Sequence, residues 1–468
     1  MMCKITVYMP SYNCEKFIEM AIESVIRQTV SDWELIVIND GSTDQTRNIL
    51  RQYGQHPKIR ILDQENKGLT VTNNIALRLS NGKYIIRLDA DDYFDENALL
   101  VLSNILDANP DVGMVYPDFF QVNAQGDIIE IVRHDKIDGG EKVLDIPPHG
   151  AGTMYRKEVL LQIGGYSEKF SCQDGYDLWL RFIRKYTPYN VNLPLFYYRR
   201  HENNMTGNMG KILTTRYQIK RDYIKKEMNG HVPRVLGIIP AAGNSIYPQC
   251  QPFVRLGADT LLSYTLEEAI KSECLDKIVL SSEDDKVIEY AAQYQRIQTL
   301  KRSSQQNKGL GTILRMETLI REILDELKQK EDYVPDAVCT LYINTPFRRC
   351  HHIDKAIHTM TIFNFDSVIS VQEELAPCYI HRKQGLKPLC ETNRHVRAER
   401  DAIYKENGAI YLSRVDVIRQ NRLIGGSIGF IMMLPQESIK INSNYDLWLT
   451  NQLVKGNSIS YPLSAPNG

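Results

Sequence analysis

Three aspartates, Asp89, Asp91 and Asp92, stand within four residues at the end of an apolar run, Tyr84-Ile85-Ile86-Arg87-Leu88. Carboxylates this close repel one another, and a strand end holds them only against a compensating charge. A hard divalent cation, Mn²⁺ or Mg²⁺, supplies that charge, because it takes oxygen ligands and shares them with a phosphate. A solvated acidic turn or a helix cap has a similar composition, since Asp also favours N-caps. The sequence on either side of the cluster decides between these readings.

At 468 residues the chain exceeds one ordinary core, so two domains are expected. A hydrophobic fraction of 43% and a charged fraction of 24% describe a soluble globular protein. A net charge of -1 lacks the basic excess of a nucleic-acid binder. The nine cysteines form no Cys-x-x-Cys pair, which indicates neither zinc nor a disulfide framework and fits free thiols in a reducing cytoplasm. A strand at 5–9 begins with no apolar leader before it. The longest apolar run, 423–434, contains Gly425-Gly426 and is too short to span a bilayer, so any membrane association is expected to be peripheral.

The first half alternates strand-like and helix-like patterns: a strand at 5–9, a helix at 15–28, a strand at 34–38, a helix through 51, and a strand at 59–62. This alternation predicts a largely parallel α/β sheet with helices on both faces. Ligands of such sheets sit at the carboxyl ends of the strands. Tyr12, Asp40 and the Asp89–Asp92 cluster all fall at such ends and are expected to converge.

Several segments carry a family resemblance: Pro10-Ser11-Tyr12-Asn13, Val37-Ile38-Asn39-Asp40-Gly41-Ser42-Thr43-Asp44, Asn66-Lys67-Gly68, Leu88-Asp89-Ala90-Asp91-Asp92 and Gln173-Asp174-Gly175-Tyr176-Asp177-Leu178-Trp179. In this order they resemble the family 2 inverting glycosyltransferases of GT-A fold, over about residues 4–205. The resemblance implies that Pro10, Tyr12, Asp40 and Asp89 bind the nucleotide-sugar donor. It also implies that Asp89, Asp91 and Asp92 hold Mn²⁺ or Mg²⁺. The general base that deprotonates the acceptor hydroxyl is then Asp174, with Asp177 as the second choice. The implied acceptor is a glycan or a lipid-linked saccharide. The sequence departs from the family at Asn73-Asn74, at Gln173 in place of Glu, and at an inserted Gly175. Arg199 and His201 resemble the family's closing Arg-x-His segment, where a cation faces the pyrophosphate; a surface basic cluster has the same composition.

A basic, helix-compatible segment at 210–228 ends at Asn229-Gly230 and Pro233, which places a domain break near residue 230. The domains are thus expected at 1–230 and 231–468. In the second, strand- and helix-like runs alternate again after Ile238-Ile239-Pro240-Ala241-Ala242-Gly243. Together with Asn344-Thr345-Pro346-Phe347-Arg348 and Asn407-Gly408-Ala409-Ile410-Tyr411-Leu412, this resembles the acylneuraminate-type cytidylyltransferases. The resemblance implies a second nucleotide-binding α/β domain and a homodimer formed through it. The family's phosphate loop carries an Arg and a Lys where this chain has Ala242 and Gln249 or Gln251. Its Asp-Ile-Asp metal pair is matched by Lys440-Ile441-Asn442. A triphosphate must be neutralised for nucleotidyl transfer. The expected domain therefore keeps the fold without the activity; the alternative is a bifunctional enzyme that activates an acidic sugar with CTP. Arg348, Arg394, Arg397 and Arg400 are candidate contacts for an acidic sugar.

Overall fold

Strand β1 (Ile5–Ser11) is buried along almost its whole length, as a parallel strand covered on both faces must be. In the computed structural model, β2 (Trp33–Asp40), β3 (Ile59–Gln64) and β4 (Tyr84–Arg87) join it in the order β3-β2-β1-β4, all parallel. The crossovers carry α1 (Ile18–Ile26), α2 (Thr46–Arg51) and α3 (Leu69–Leu79). Helix α1 buries Ile18, Ala21, Ile22 and Val25, a one-face spacing of three to four residues. The structure describes residues 3–133, 147–170, 172–201, 209–243, 248–302, 315–374, 376, 378–382, 385–389 and 403–455.

Beyond β4 the sheet becomes mixed. The elements that follow are β5 (Tyr93–Phe94), α4 (Ala98–Ala108), β6 (Val112–Val122), β7 (Ile128–Val132), β8 (Met154–Arg156), α5 (Lys157–Gln162), α6 (Asp174–Ile183), β9 (Thr187–Arg199) and α7 (Met209–Glu227). Strand β8 lies antiparallel between β4 and β6, while β9 runs parallel to β6 and antiparallel to β5. The unbroken parallel order therefore holds for the first four strands, and beyond them β6 and β9 form one further parallel pair. A parallel neighbour needs a crossover, and no helix precedes β8 among the described residues after β7.

The chain divides into two compact units, residues 1–219 with 378–401 and residues 220–377 with 402–468. The division falls within α7; Asn229 and Gly230, both at positive φ, follow the end of that helix.

The second unit has its own seven-stranded sheet. Its elements begin with β10 (Val235–Pro240), the small hairpin β11 (Arg255–Leu256) and β12 (Asp259–Thr260), α8 (Leu261–Lys271), β13 (Lys277–Ser282), α9 (Asp285–Ala291), β14 (Ile297–Lys301), α10 (Met316–Glu331) and β15 (Ala337–Thr340). There follow α11 (Cys350–Phe363), β16 (Ser367–Glu374), β19 (Ile403–Arg414), α12 (Val415–Arg419), β20 (Ile428–Met432) and α13 (Asn444–Lys455); between β16 and β19 the chain also forms the hairpin β17 (Tyr379–Arg382) and β18 (Gly385–Pro388). The sheet order is β14-β13-β10-β15-β19-β16-β20, and the β17–β18 hairpin groups with the first unit. Two tandem α/β domains, as expected, make up the chain. Among the described residues no helix is long and apolar enough to cross a membrane.

Candidate active site

Strand β4 delivers the acidic turn. Leu88 N–H donates to Tyr8 O at 3.0 Å, and Asp92 N–H donates to Asp89 O at 3.0 Å, so the chain turns sharply as it leaves the sheet. That turn brings one oxygen each from Asp89, Asp91 and Asp92 within 4.8 Å of one another. Burial first, and the neighbouring carboxylates second, push Asp91 and Asp92 above the usual carboxylate range. Asp92 is 1% exposed. Its Oδ1 accepts the Arg199 N–H at 2.8 Å, and its buried Oδ2 has no hydrogen-bond partner. An orphaned carboxylate oxygen beside two further carboxylates fits a hard dication.

Asp40 ends β2. Its carboxylate accepts Gln64 Nε2 at 2.7 Å, Lys67 N–H at 2.8 Å and Gly68 N–H at 2.9 Å, so it fastens the 66–68 loop at the mouth of the site. An ionised carboxylate has about four acceptor positions, which leaves one for a ligand donor. Gly41 must be glycine: its φ is +77°, and a Cβ would meet Asn66 N at 2.7 Å.

Asp174 opens α6. Its Oδ2 accepts Arg87 Nη1 at 2.9 Å and Asn73 Nδ2 at 3.1 Å. Gln173, immediately before it, sits at φ 61°, the left-handed region that a residue with a Cβ adopts at a cost. Arg216 of α7 reaches back to Gln173 Oε1 at 2.7 Å and stacks over the Tyr176 ring at 4.8 Å. Pro10, Tyr12, Asp40, Asp89, Asp91 and Asp174 line one cavity of about 600 Å³. Asp92 does not line it. Asp177 is not on the cavity; its Oδ2 holds Arg181 Nη2 at 2.6 Å, and Arg181 also donates to Gly165 O at 2.8 Å.

Of the closing basic segment, His201 Nε2 stands 2.9 Å from Asp91 Oδ2, whereas Arg199 is a buried pin. It donates to the carbonyls of Asp91, Asn123 and Ala124 and lies over the rings of Phe17 and Tyr93.

The sequence reading missed Arg87, Arg216 and the role of Asn73. Arg87 was detectable: a cation inside an otherwise apolar central strand needs a partner. Its Nε and Nη2 grip both oxygens of Asp89 at 2.5 and 2.9 Å. Arg216 gave no signal, because it lies in a basic helix that reads as a linker.

In the second unit, Gln249 Nε2 donates to Asn442 O, which brings together two positions where the resemblance expects a lysine and a metal carboxylate. Lys440 passes over Gly408, at φ +74°, where a Cβ would lie 2.8 Å from Nζ. Arg348 does not face solvent or a loop ligand. It is 1% exposed and donates to Ala409 O, Tyr342 O and the Thr345 and Thr265 hydroxyls, and burial lowers its pKa to about 10. Arg394, Arg397 and Arg400 lie outside the described residues. His351, His352 and Glu437 also approach within metal-ligand spacing. His352 Nδ1, however, accepts the Arg349 N–H at 3.1 Å, so a neutral ring carries its proton on Nε2, the nitrogen facing Glu437.

Residues 6–164 match the glycosyl transferase family 2 model and residues 236–440 match the cytidylyltransferase model. The chain thus carries a first segment that resembles the family 2 glycosyltransferases and a second that resembles the cytidylyltransferases. A chondroitin synthase of Escherichia coli is 31% identical over 178 residues, covering 38% of this chain and 26% of that protein. WfgD of Escherichia coli, a UDP-Glc:alpha-D-GlcNAc-diphosphoundecaprenol beta-1,3-glucosyltransferase, is 28% identical over 228 residues, covering 48% of this chain and 88% of the relative. Among solved structures, the mannosyltransferase PcManGT from Pyrobaculum calidifontis, in complex with GDP-Man and Mn²⁺, aligns at 18% identity with a TM-score of 0.39. That alignment covers 48% of this chain and 65% of the other. The chain spans between 18% and 26% of the length of the chondroitin and hyaluronan synthases that it matches.

Proposed function

We propose that the first unit transfers a sugar, with inversion, from a nucleoside diphosphate donor to a hydroxyl of a glycan or lipid-linked acceptor. The observation that carries this reading is convergence: the acidic turn, Asp40, Tyr12 and Asp174 come from four separate chain segments and meet at one cavity. Asp40 offers its remaining acceptor position to the nucleotide base, and Tyr12, half exposed at 50%, offers a ring beside it. Asp89, Asp91 and Asp92 would hold Mn²⁺ or Mg²⁺, which offsets charge developing on the departing diphosphate. Asp174 takes the proton of the acceptor hydroxyl, its carboxylate aimed by Arg87 and Asn73. Two relatives, a chondroitin synthase and a diphosphoundecaprenol-directed glucosyltransferase, support surface polysaccharide or related glycoconjugate assembly.

The second unit, on this reading, binds or docks without nucleotidyl transfer and pairs the chain as a homodimer. The Lys440 and Asn442 substitutions and the Gln249–Asn442 bond support it. A differential thermal-shift panel on the full chain, with and without Mn²⁺, tests both halves with UDP, GDP, dTDP, CDP, CMP and CTP. Ligands that bind only the folded state raise its apparent stability. A Mn²⁺-dependent shift with one diphosphate, and release of that diphosphate from its sugar nucleotide, is the expected result. Pyrophosphate release from CTP would overturn the reading of the second unit and favour the bifunctional alternative.

A further inference from the structure

Arg87 is 7% exposed and has no role in the sequence motifs, yet it touches both halves of the proposed chemistry. Its Nε–Nη2 edge is spent on the two oxygens of Asp89, and its Nη1 on Asp174 Oδ2. One guanidinium is thus shared between a carboxylate that faces the acidic turn and the carboxylate proposed as base.

We propose that Arg87 is a positioning residue that couples the acidic turn to Asp174, so that occupancy of one is felt at the other. The inference rests on the function proposed above and extends it. The physics is competition for oxygen. A dication at Asp89 must share that carboxylate with the Arg87 fork, whose hold on Asp89 depends on how much of its charge Asp174 draws away. Removing Asp174's charge leaves Arg87 to Asp89 alone and disfavours the cation. Removing Arg87 frees Asp89 and favours the cation, while Asp174 loses its aim. Coupling through a shared group is reciprocal and typically changes affinity by about 5- to 150-fold.

The test is a double-mutant cycle on the full chain, reading Mn²⁺ affinity by titration calorimetry or by the spin signal of free Mn²⁺. Arg87→Met is expected to bind Mn²⁺ about 5-fold or more tightly than the parent, while sugar transfer falls by about 10²-fold through misplacement of Asp174. Asp174→Asn is expected to weaken Mn²⁺ by about 5-fold in the parent and by less than about 2-fold in the Arg87→Met background. A residue that merely supports the fold lowers affinity and activity together. An equal effect of Asp174→Asn in both backgrounds overturns the coupling and leaves simple through-space charge. If Arg87→Met does not fold, the cycle is run with Arg87→Lys, which keeps the charge and loses the fork; the same inequality is required. Absence of Mn²⁺ binding and transfer in the parent would instead sink the functional reading, so the two failures are distinguishable.

Discussion

Replacing Asp92 with Asn separates a metal-binding role from a structural one, because the two predict opposite signs. In the chain without metal, Asp92 is a buried acid with two acidic neighbours and one orphaned oxygen. Two full charges 4.8 Å apart repel by about 3 kcal/mol at an effective dielectric of about 20. Arg87 and His201 hold Asp89 and Asp91 and relieve part of this, so a net gain of about 1–2 kcal/mol is expected when the charge is removed. Asn retains Oδ1 for the Arg199 N–H. For a unit of this size, that gain corresponds to a rise of about 2–8 °C in the metal-free melting temperature. The Mn²⁺-dependent rise seen in the parent should fall to near zero. Scanning calorimetry of the full chain at pH 8, with chelator and then with excess Mn²⁺, reads both. A lower metal-free melting temperature with the Mn²⁺ shift intact would show that Asp92 serves only to hold Arg199, and would refute the metal assignment.

Three further outcomes follow from the geometry. Asp174→Ala should cut transfer by about 10²- to 10⁴-fold, whereas Asp177→Ala should lower the melting temperature by a few degrees with kcat nearly unchanged, because its carboxylate serves Arg181. Gly175→Ala adds a methyl whose nearest neighbour is Gly150 Cα at 3.9 Å, so the fold has room and α6 gains up to about 0.5 kcal/mol. Transfer should nonetheless fall several-fold, through a higher KM for acceptor, because the methyl enters the cavity beside Asp174; an unchanged KM would place the acceptor elsewhere. In the second unit, burial, together with the charges of Lys220 and Arg221, pushes His358 down to about 3. The unfolded chain takes up that proton near the ordinary value of about 6.5, so stability is full above it and drains away as pH falls from about 6.5 towards 3. His358→Asn should flatten this part of the melting-temperature profile.

The parallel core and the acidic turn were legible in the sequence because both are local. Alternating apolar runs specify β1 to β4, and three aspartates after a strand specify a charge problem. The mixed edge was not legible. Strand β8 is three residues long and pairs on both sides with strands distant in sequence, so no periodicity announces it. The same distinction runs through the site. Asp40 and Asp89 fall at strand ends that the pattern locates. Asp174 and Asp177 stand three residues apart, about 60° around an α-helix, so spacing alone puts both on one face; only tertiary partners divide them, Arg87 and Asn73 holding the first at the cavity and Arg181 holding the second. Arg216 approaches from a helix more than forty residues downstream of Gln173, a contact that only tertiary packing creates.

The proposal that the second unit keeps its fold without nucleotidyl transfer gives a last prediction. Residue 441 is held by its backbone: Ile441 N–H donates to Asn344 O at 2.8 Å, and Ile441 O accepts from Asn344 Nδ2 at 3.3 Å and Cys250 Sγ at 2.9 Å. Its side chain is wholly buried. The flanking positions 440 and 442 are therefore fixed in place whatever side chains they carry. Lys440 forms no ion pair among the described residues and reaches only across the backbone of Gly408. Lys440→Asp with Asn442→Asp should accordingly fold, and should create a second Mn²⁺ site, raising calorimetric stoichiometry from one per chain to two. Pyrophosphate release from CTP should stay absent, because Ala242, Gln249 and Gln251 still supply no cation for the triphosphate. Stoichiometry that remains at one would mean that the carboxylates do not converge, and that the second unit never shared the geometry its sequence resembles. Gain of metal without gain of turnover would show that the phosphate loop limits nucleotidyl transfer as much as the metal pair does.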